Sequence, residues 1–135
     1  MDTMRMEPTG AAFVLYLSDR VVAADIAEEI ALQWPCASLL LPEGRAEFMA
    51  VIDTLRAPAT VFVELELLGP VWDAAQRRLV GRQSGIVLFG DTADDLAARG
   101  ETVAGAAILA RPYSSAELTA LVRALPAGIG ARPAP

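Results

Sequence analysis

A chain of 135 residues, 54% hydrophobic and 21% charged, is long enough to bury one core and too apolar to stay disordered. It contains no His, no Lys and no Asn, which excludes Ser–His triads, His-ligated zinc, a histidine phosphorelay, a Schiff base and a phosphate-loop lysine. The net charge of −6 argues against a nucleic-acid footprint, because the nearest basic cluster, Gln76-Arg77-Arg78 with Arg82, has acids around it in sequence.

All eleven basic residues are Arg, which keeps its charge at any accessible pH. The single cysteine, Cys36, forms no internal disulfide, suits a reducing cytoplasm and is expected to be a small buried hydrophobe. No apolar run approaches the roughly 20 residues that span a bilayer. The stretch from Met1 to Pro8 has no signal-peptide character. These features lead to the expectation of a cytoplasmic protein without membrane contact.

Ala12 to Leu17 is a continuous apolar run, the pattern of a strand buried on both faces. Ser18 or Asp19 can cap the helix that follows, where Val22, Ile26 and Ile30 recur every four residues until Pro35. A short second run, Ala37 to Leu41, ends at Pro42-Glu43-Gly44, and Phe48, Val51, Ile52 and Leu55 then follow helical spacing. Thr60 to Leu65 is the third strand, rich in β-branched and aromatic residues. Gly69-Pro70 breaks the chain before a helix carrying Val71, Trp72, Ala75 and Leu79. Gly85 to Gly90 is the fourth strand, followed by a short helix capped at Thr92 and stopped at Gly100. Gly105 to Ala110 is the fifth strand. The last helix opens with a Ser114–Glu117 capping box, shows Leu118, Leu121, Val122 and Leu125 on one face, and is expected to end at Pro126. One domain over residues 11–125 is therefore expected, with flexible ends at 1–10 and 126–135 and no output domain beyond; the Pro/Gly/Ala tail fits a linker as well as a terminus.

Five strand–helix alternations predict an α/β fold: a doubly wound, five-stranded parallel sheet of order 2-1-3-4-5, flavodoxin-like, with helices on both faces. Ligands of such sheets sit beyond the carboxyl ends of the strands, where the strand order reverses. That rule selects Ser18, Asp19, Glu64 to Glu66, Gly90, Asp91 and Arg111. No glycine stands near the helix start in Leu17-Ser18-Asp19-Arg20, so a dinucleotide fingerprint is missing and no cofactor is expected.

From about Ala12 to Leu125 the chain resembles a CheY-like receiver domain of bacterial response regulators, in a degenerate form. The likeness rests on strand and helix order, on Ser18-Asp19 after the first strand, on Glu64-Leu65-Glu66-Leu67-Leu68-Gly69-Pro70 after the third, and on Arg111-Pro112-Tyr113 after the fifth. A receiver has paired acids that hold Mg²⁺, an acceptor Asp, a Thr or Ser hydroxyl and a Lys-Pro pair. On that pattern Ser18 replaces the first acid, Glu64 stands at the acceptor (Glu66 in an alternative register), Gly90 replaces the hydroxyl with Thr92 nearby, and Ile108 holds the place of the aromatic switch. Arg111 replaces Lys before Pro112, and the resemblance implies a cis bond there.

Losing one acid weakens a magnesium site, leaving Asp19 and Glu64 as a poor candidate pair. The extra methylene of Glu64 displaces the acceptor carboxylate by about a bond length, where ~1 Å can cost on the order of 100-fold in positioned chemistry. The reading expects no enzymatic activity, a fixed Glu64–Arg111 ion pair in place of the phosphoryl contact, and function through protein–protein contact. Glu66 reads as a solvated acid at a loop start. The resemblance implies a kinase, a transcription regulator or a second copy as partner, with a homodimer face on the last two helices and the strand between them, including Leu96, Arg99, Glu117 and Arg123. Two alternatives stay open: a working receiver phosphorylated on an altered carboxylate, and a small-molecule sensor using the crevice.

Overall fold

The computed structural model describes residues 11–56, 59–82 and 84–130, the last six of these as backbone only. The expected flexible end at 1–10 and residues 131–135 of the expected tail 126–135 lie outside the described residues, whereas 126–130 of that tail are helical. Strands β1 (Ala12–Tyr16), β2 (Ser38–Leu40), β3 (Ala59–Glu64), β4 (Gly85–Phe89) and β5 (Ala107–Ile108) form one parallel sheet of order β2-β1-β3-β4-β5. Between them run α1 (Arg20–Gln33), α2 (Arg45–Thr54), α3 (Leu65–Leu68), α4 (Trp72–Gly81) and α5 (Asp91–Ala98), and α6 (Ser115–Gly130) follows β5. The fold is flavodoxin-like.

Strand alternation divides the core between the two faces of the sheet. Val14, Tyr16, Val61, Val63, Ile86 and Leu88 pack against Phe48 and Ile52 of α2, Ala75 and Leu79 of α4 and Ala93 of α5. Phe13, Leu15, Phe62, Val87 and Phe89 pack against Ile26 and Ile30 of α1 and Leu118 and Val122 of α6. Phe13, Phe48, Phe62 and Phe89 are fully buried, and burying each such side chain contributes about 1.5–3 kcal/mol. Tyr16 and Phe48 stack with ring centroids 5.0 Å apart. Both sheet edges, β2 and β5, are short, which limits the unpaired backbone they present. Among the described residues no helix is long and apolar enough to cross a membrane.

Several sequence expectations need correction. The fifth strand covers Ala107–Ile108 instead of Gly105 to Ala110, because Gly105 turns the chain with φ +77° just before it; only the Leu109 amide, bonded to the Leu88 carbonyl at 3.0 Å, extends the pairing. An unforeseen single turn, α3, follows β3 directly and leads through a 3₁₀ turn (Gly69–Val71) into α4. Cys36 is exposed, not buried.

The last helix does not end at Pro126 but runs to Gly130. A proline inside a helix leaves the carbonyl four residues earlier without its amide partner, here Val122. The indole Nε1 of Trp34, at the end of α1, donates to the Val122 carbonyl oxygen at 2.9 Å. The orphaned acceptor is therefore satisfied from another helix, and the local stop signal is overridden. The Ser114–Glu117 capping box forms as the sequence predicts: the Ser114 amide donates to Glu117 Oε1 at 2.7 Å and the Glu117 amide to Ser114 Oγ at 3.0 Å.

Candidate functional site: a carboxylate cluster at the carboxyl end of the sheet

The ends of β1, β3, β4 and β5 gather Ser18, Asp19, Glu64, Glu66, Gly90, Asp91, Thr92, Asp94 and Arg111 at one end of the sheet. Glu64 is the last residue of β3 and half-buried. Its carboxylate accepts the Ser18 amide at 2.9 Å and the Ser18 hydroxyl at 2.9 and 3.1 Å. Where two acids side by side would repel, a serine and a glutamate form a direct tie between β1 and β3.

Asp19 serves α1: its Oδ1 accepts the amides of Val21 at 3.0 Å and Val22 at 3.1 Å, a side-chain cap. Asp19 and Glu64 are thus engaged with different donors. Among the described residues no group of three or more His, Cys, Asp or Glu side chains is arranged to hold a metal ion.

Glu66 is exposed, as expected of a solvated acid, but it also has fixed partners. One turn of helix after β3 carries it across to α5, where Oε2 accepts both the amide and the hydroxyl of Thr92 at 2.6 Å. Helix α5 starts from Gly90, which has no side chain to cap it. Glu66 supplies from another loop the acceptor that an N-cap side chain would have provided, and the positive end of the helix favours its charge. Thr92 accordingly lies inside α5 instead of capping it.

Gly90 is required by the same arrangement. It sits at φ +114° and ψ −177°, a region essentially reserved for glycine. A Cβ there would collide with the Glu66 carboxylate and press on Glu64 Cγ at 3.0 Å. Burial raises the Glu66 pKa, but the Thr92 hydroxyl and amide and the charge of Arg111 outweigh it, leaving the carboxyl below its ordinary value.

The expected Glu64–Arg111 ion pair does not form. Arg111 turns instead to the start of α5: Nη2 meets Asp91 Oδ1 at 2.7 Å, while Nε and the backbone amide hold the two Asp94 oxygens at 2.9 and 3.0 Å. Its guanidinium also lies 4.9 Å from the centre of the Phe89 ring. Burial lowers the Arg111 pKa, and the bonds to Asp91 and Asp94 more than reverse this, fixing the charge more firmly. The reason is reach and competition. Glu64 is already filled by Ser18, whereas Asp91 and Asp94, at i and i+3 on α5, present two acids beside the end of β5. The Asp91-x-x-Asp94 spacing after a strand is the signal that points to this pairing.

The Arg111–Pro112 peptide is cis. Ile108 is half-buried in β5, paired with Leu88 and packed against the α2/α4/α5 side of the core. Of the expected interaction face, Leu96 is half-buried on α5, Arg99 pairs with Glu101 at 3.1 Å, Glu117 is occupied in its capping box, and Arg123 is exposed.

No protein-family model matches the chain, and no curated protein matches it in sequence.

Proposed function

We propose that this chain is a receiver-like interaction module of bacterial signal transduction whose state is set by resident carboxylates and not by phosphorylation. The observation that carries the reading is Glu66. In the receivers this chain resembles, a hydroxyl after the fourth strand and a cation after the fifth detect a phosphoryl group on the third. Here the Thr92 hydroxyl and amide already face a carboxylate arriving from the end of β3, and Gly90 leaves the space that carboxylate fills. Arg111 is committed to Asp91 and Asp94, and Ser18 to Glu64. A phosphoryl group or Mg²⁺ entering this end of the sheet would have to displace charge-assisted hydrogen bonds that are already made.

The module acts by contact with a protein in the cytoplasm, a kinase, a transcription regulator or a second copy, and catalyses no reaction itself. Leu96 and Arg123, on the side of α5, β5 and α6, belong to the contacting face; Arg99 and Glu117 are exposed on the same side, each held by a neighbour on its own segment, Glu101 and Ser114. Incubation with acetyl phosphate and Mg²⁺, followed by intact-mass measurement and sedimentation, tests this. The expected result is an unmodified chain with unchanged association. A phosphorylated species on Glu64, Glu66 or Asp19 overturns it in favour of a working receiver with an altered acceptor.

A further inference from the structure

The basic cluster that the sequence marks on α4 does not act as one patch. Arg78 pairs with Asp53 at 3.2 Å. Arg82 donates to the carbonyls of Leu55 at 2.8 Å and Asp53 at 2.7 Å, closing the C-terminal end of α2. Arg77 points elsewhere. It has no ion-pair partner among the described residues, and it lines a groove of about 510 Å³ with Gln76, Val80, Gly81, Ala104 and Gly105.

This groove lies at the amino end of the sheet, where α4 finishes and the turn before β5 begins, opposite the carboxylate cluster. Two close approaches shape its walls. Gln76 Nε2 donates to the Ala104 carbonyl at 3.1 Å and holds the turn against the helix. Gly105, at φ +77°, passes so close that a Cβ would come within 3.2 Å of Val80 Cγ2. Val80 remains 49% exposed, one of few large apolar side chains left uncovered.

We propose that the groove binds a small amphiphilic carboxylate, an apolar chain lying along Val80, Gly81, Ala104 and Gly105 with its anionic head on Arg77. Three features point to this ligand class. The volume falls in the range of small-molecule sites. The lining is apolar apart from Gln76, already engaged with Ala104, and Arg77. A lone guanidinium beside an apolar wall selects an anion that is apolar behind its charge, because guanidinium pairs with carboxylate in a planar fork. The site is separate from the carboxylate cluster, so it stands whether or not the receiver-like reading holds.

Decanoate below its micelle concentration is the probe, titrated into the full chain by calorimetry, with decanol as the uncharged control. Saturable one-to-one binding is expected, weaker by about tenfold for decanol and for Arg77→Gln, as loss of a charge-assisted contact implies. Gly81→Leu should abolish binding, since Gly81 lines the groove and a Cβ there meets nothing within 4 Å, which leaves room for a larger side chain at its wall. Thermal unfolding of both variants checks that the fold is intact. Absence of saturable binding, decanol binding as tightly as decanoate, or unchanged affinity in either folded variant overturns the proposal, as does binding of an acidic peptide with none of decanoate.

Discussion

The two ends of the sheet are tied together by opposite chemistry. Toward the amino end, beside an exposed Arg78–Asp53 ion pair, side chains donate to main-chain carbonyls: Arg82 to Leu55 and Asp53, and the Trp34 indole to Val122. At the carboxyl end, acids accept from Ser18, Thr92 and Arg111, bridging β1, β3, α5 and the end of β5. Neither guanidinium nor indole changes protonation at accessible pH, so the first set of ties is permanent. The second rests on carboxylates that hold charge-assisted hydrogen bonds. The amino end is tied through main-chain acceptors, the carboxyl end through side-chain acids.

Gly90→Ala is expected to have the largest effect, a loss of about 2–3 kcal/mol in urea unfolding, from a backbone region closed to alanine combined with displacement of Glu66. In a Glu66→Ala background the same substitution should cost less, because the collision is removed; equal costs in both backgrounds would separate Gly90 from Glu66 and break the account of that end.

Arg82→Gln tests the permanent ties. It removes the cation from two carbonyls at the end of α2, and about 1.5–2 kcal/mol should be lost, nearly independent of pH between neutral and mildly acid conditions. Trp34→Phe should cost about 1 kcal/mol by stripping the Val122 carbonyl of its donor. Adding Pro126→Ala should restore most of that, since residue 126 then offers its own amide to Val122; a further loss in the double variant contradicts the proposed compensation.

The smallest effect is the pH dependence at Glu66. Its folded pKa is depressed, so the stability it contributes is complete above the ordinary carboxyl value and disappears as pH falls through the lower, folded value. Glu66→Gln, and separately Thr92→Val, should flatten the acid limb of the unfolding midpoint against pH. An acid limb unchanged in both variants would place the titration elsewhere.

The sheet was legible in the sequence because strands buried on both faces appear as continuous apolar runs, and α1 and α6 begin with caps supplied by nearby residues. The wiring of the site was not. Glu64 and Glu66 are two residues apart and read alike, yet the turn of α3 between them sends one to β1 and the other to α5. Periodicity does not reveal a single helical turn inserted after a strand. The partners lie 46 residues away for Glu64–Ser18 and 26 for Glu66–Thr92, beyond the reach of any local rule. Pro126 fails for the same reason: it is a stop signal within α6 alone, but its consequence is met by Trp34, 88 residues before Val122.

The central claim is that the carboxyl end is already occupied by its own acids. Amide resonances of Ser18 and Thr92, followed while Mg²⁺ and then beryllofluoride are added, test it most directly. The account predicts that both resonances stay in place, because their donors are held by Glu64 and Glu66. Saturable shifts at both, reached only when Mg²⁺ and beryllofluoride are present together, would contradict it and show a site open to a phosphoryl group.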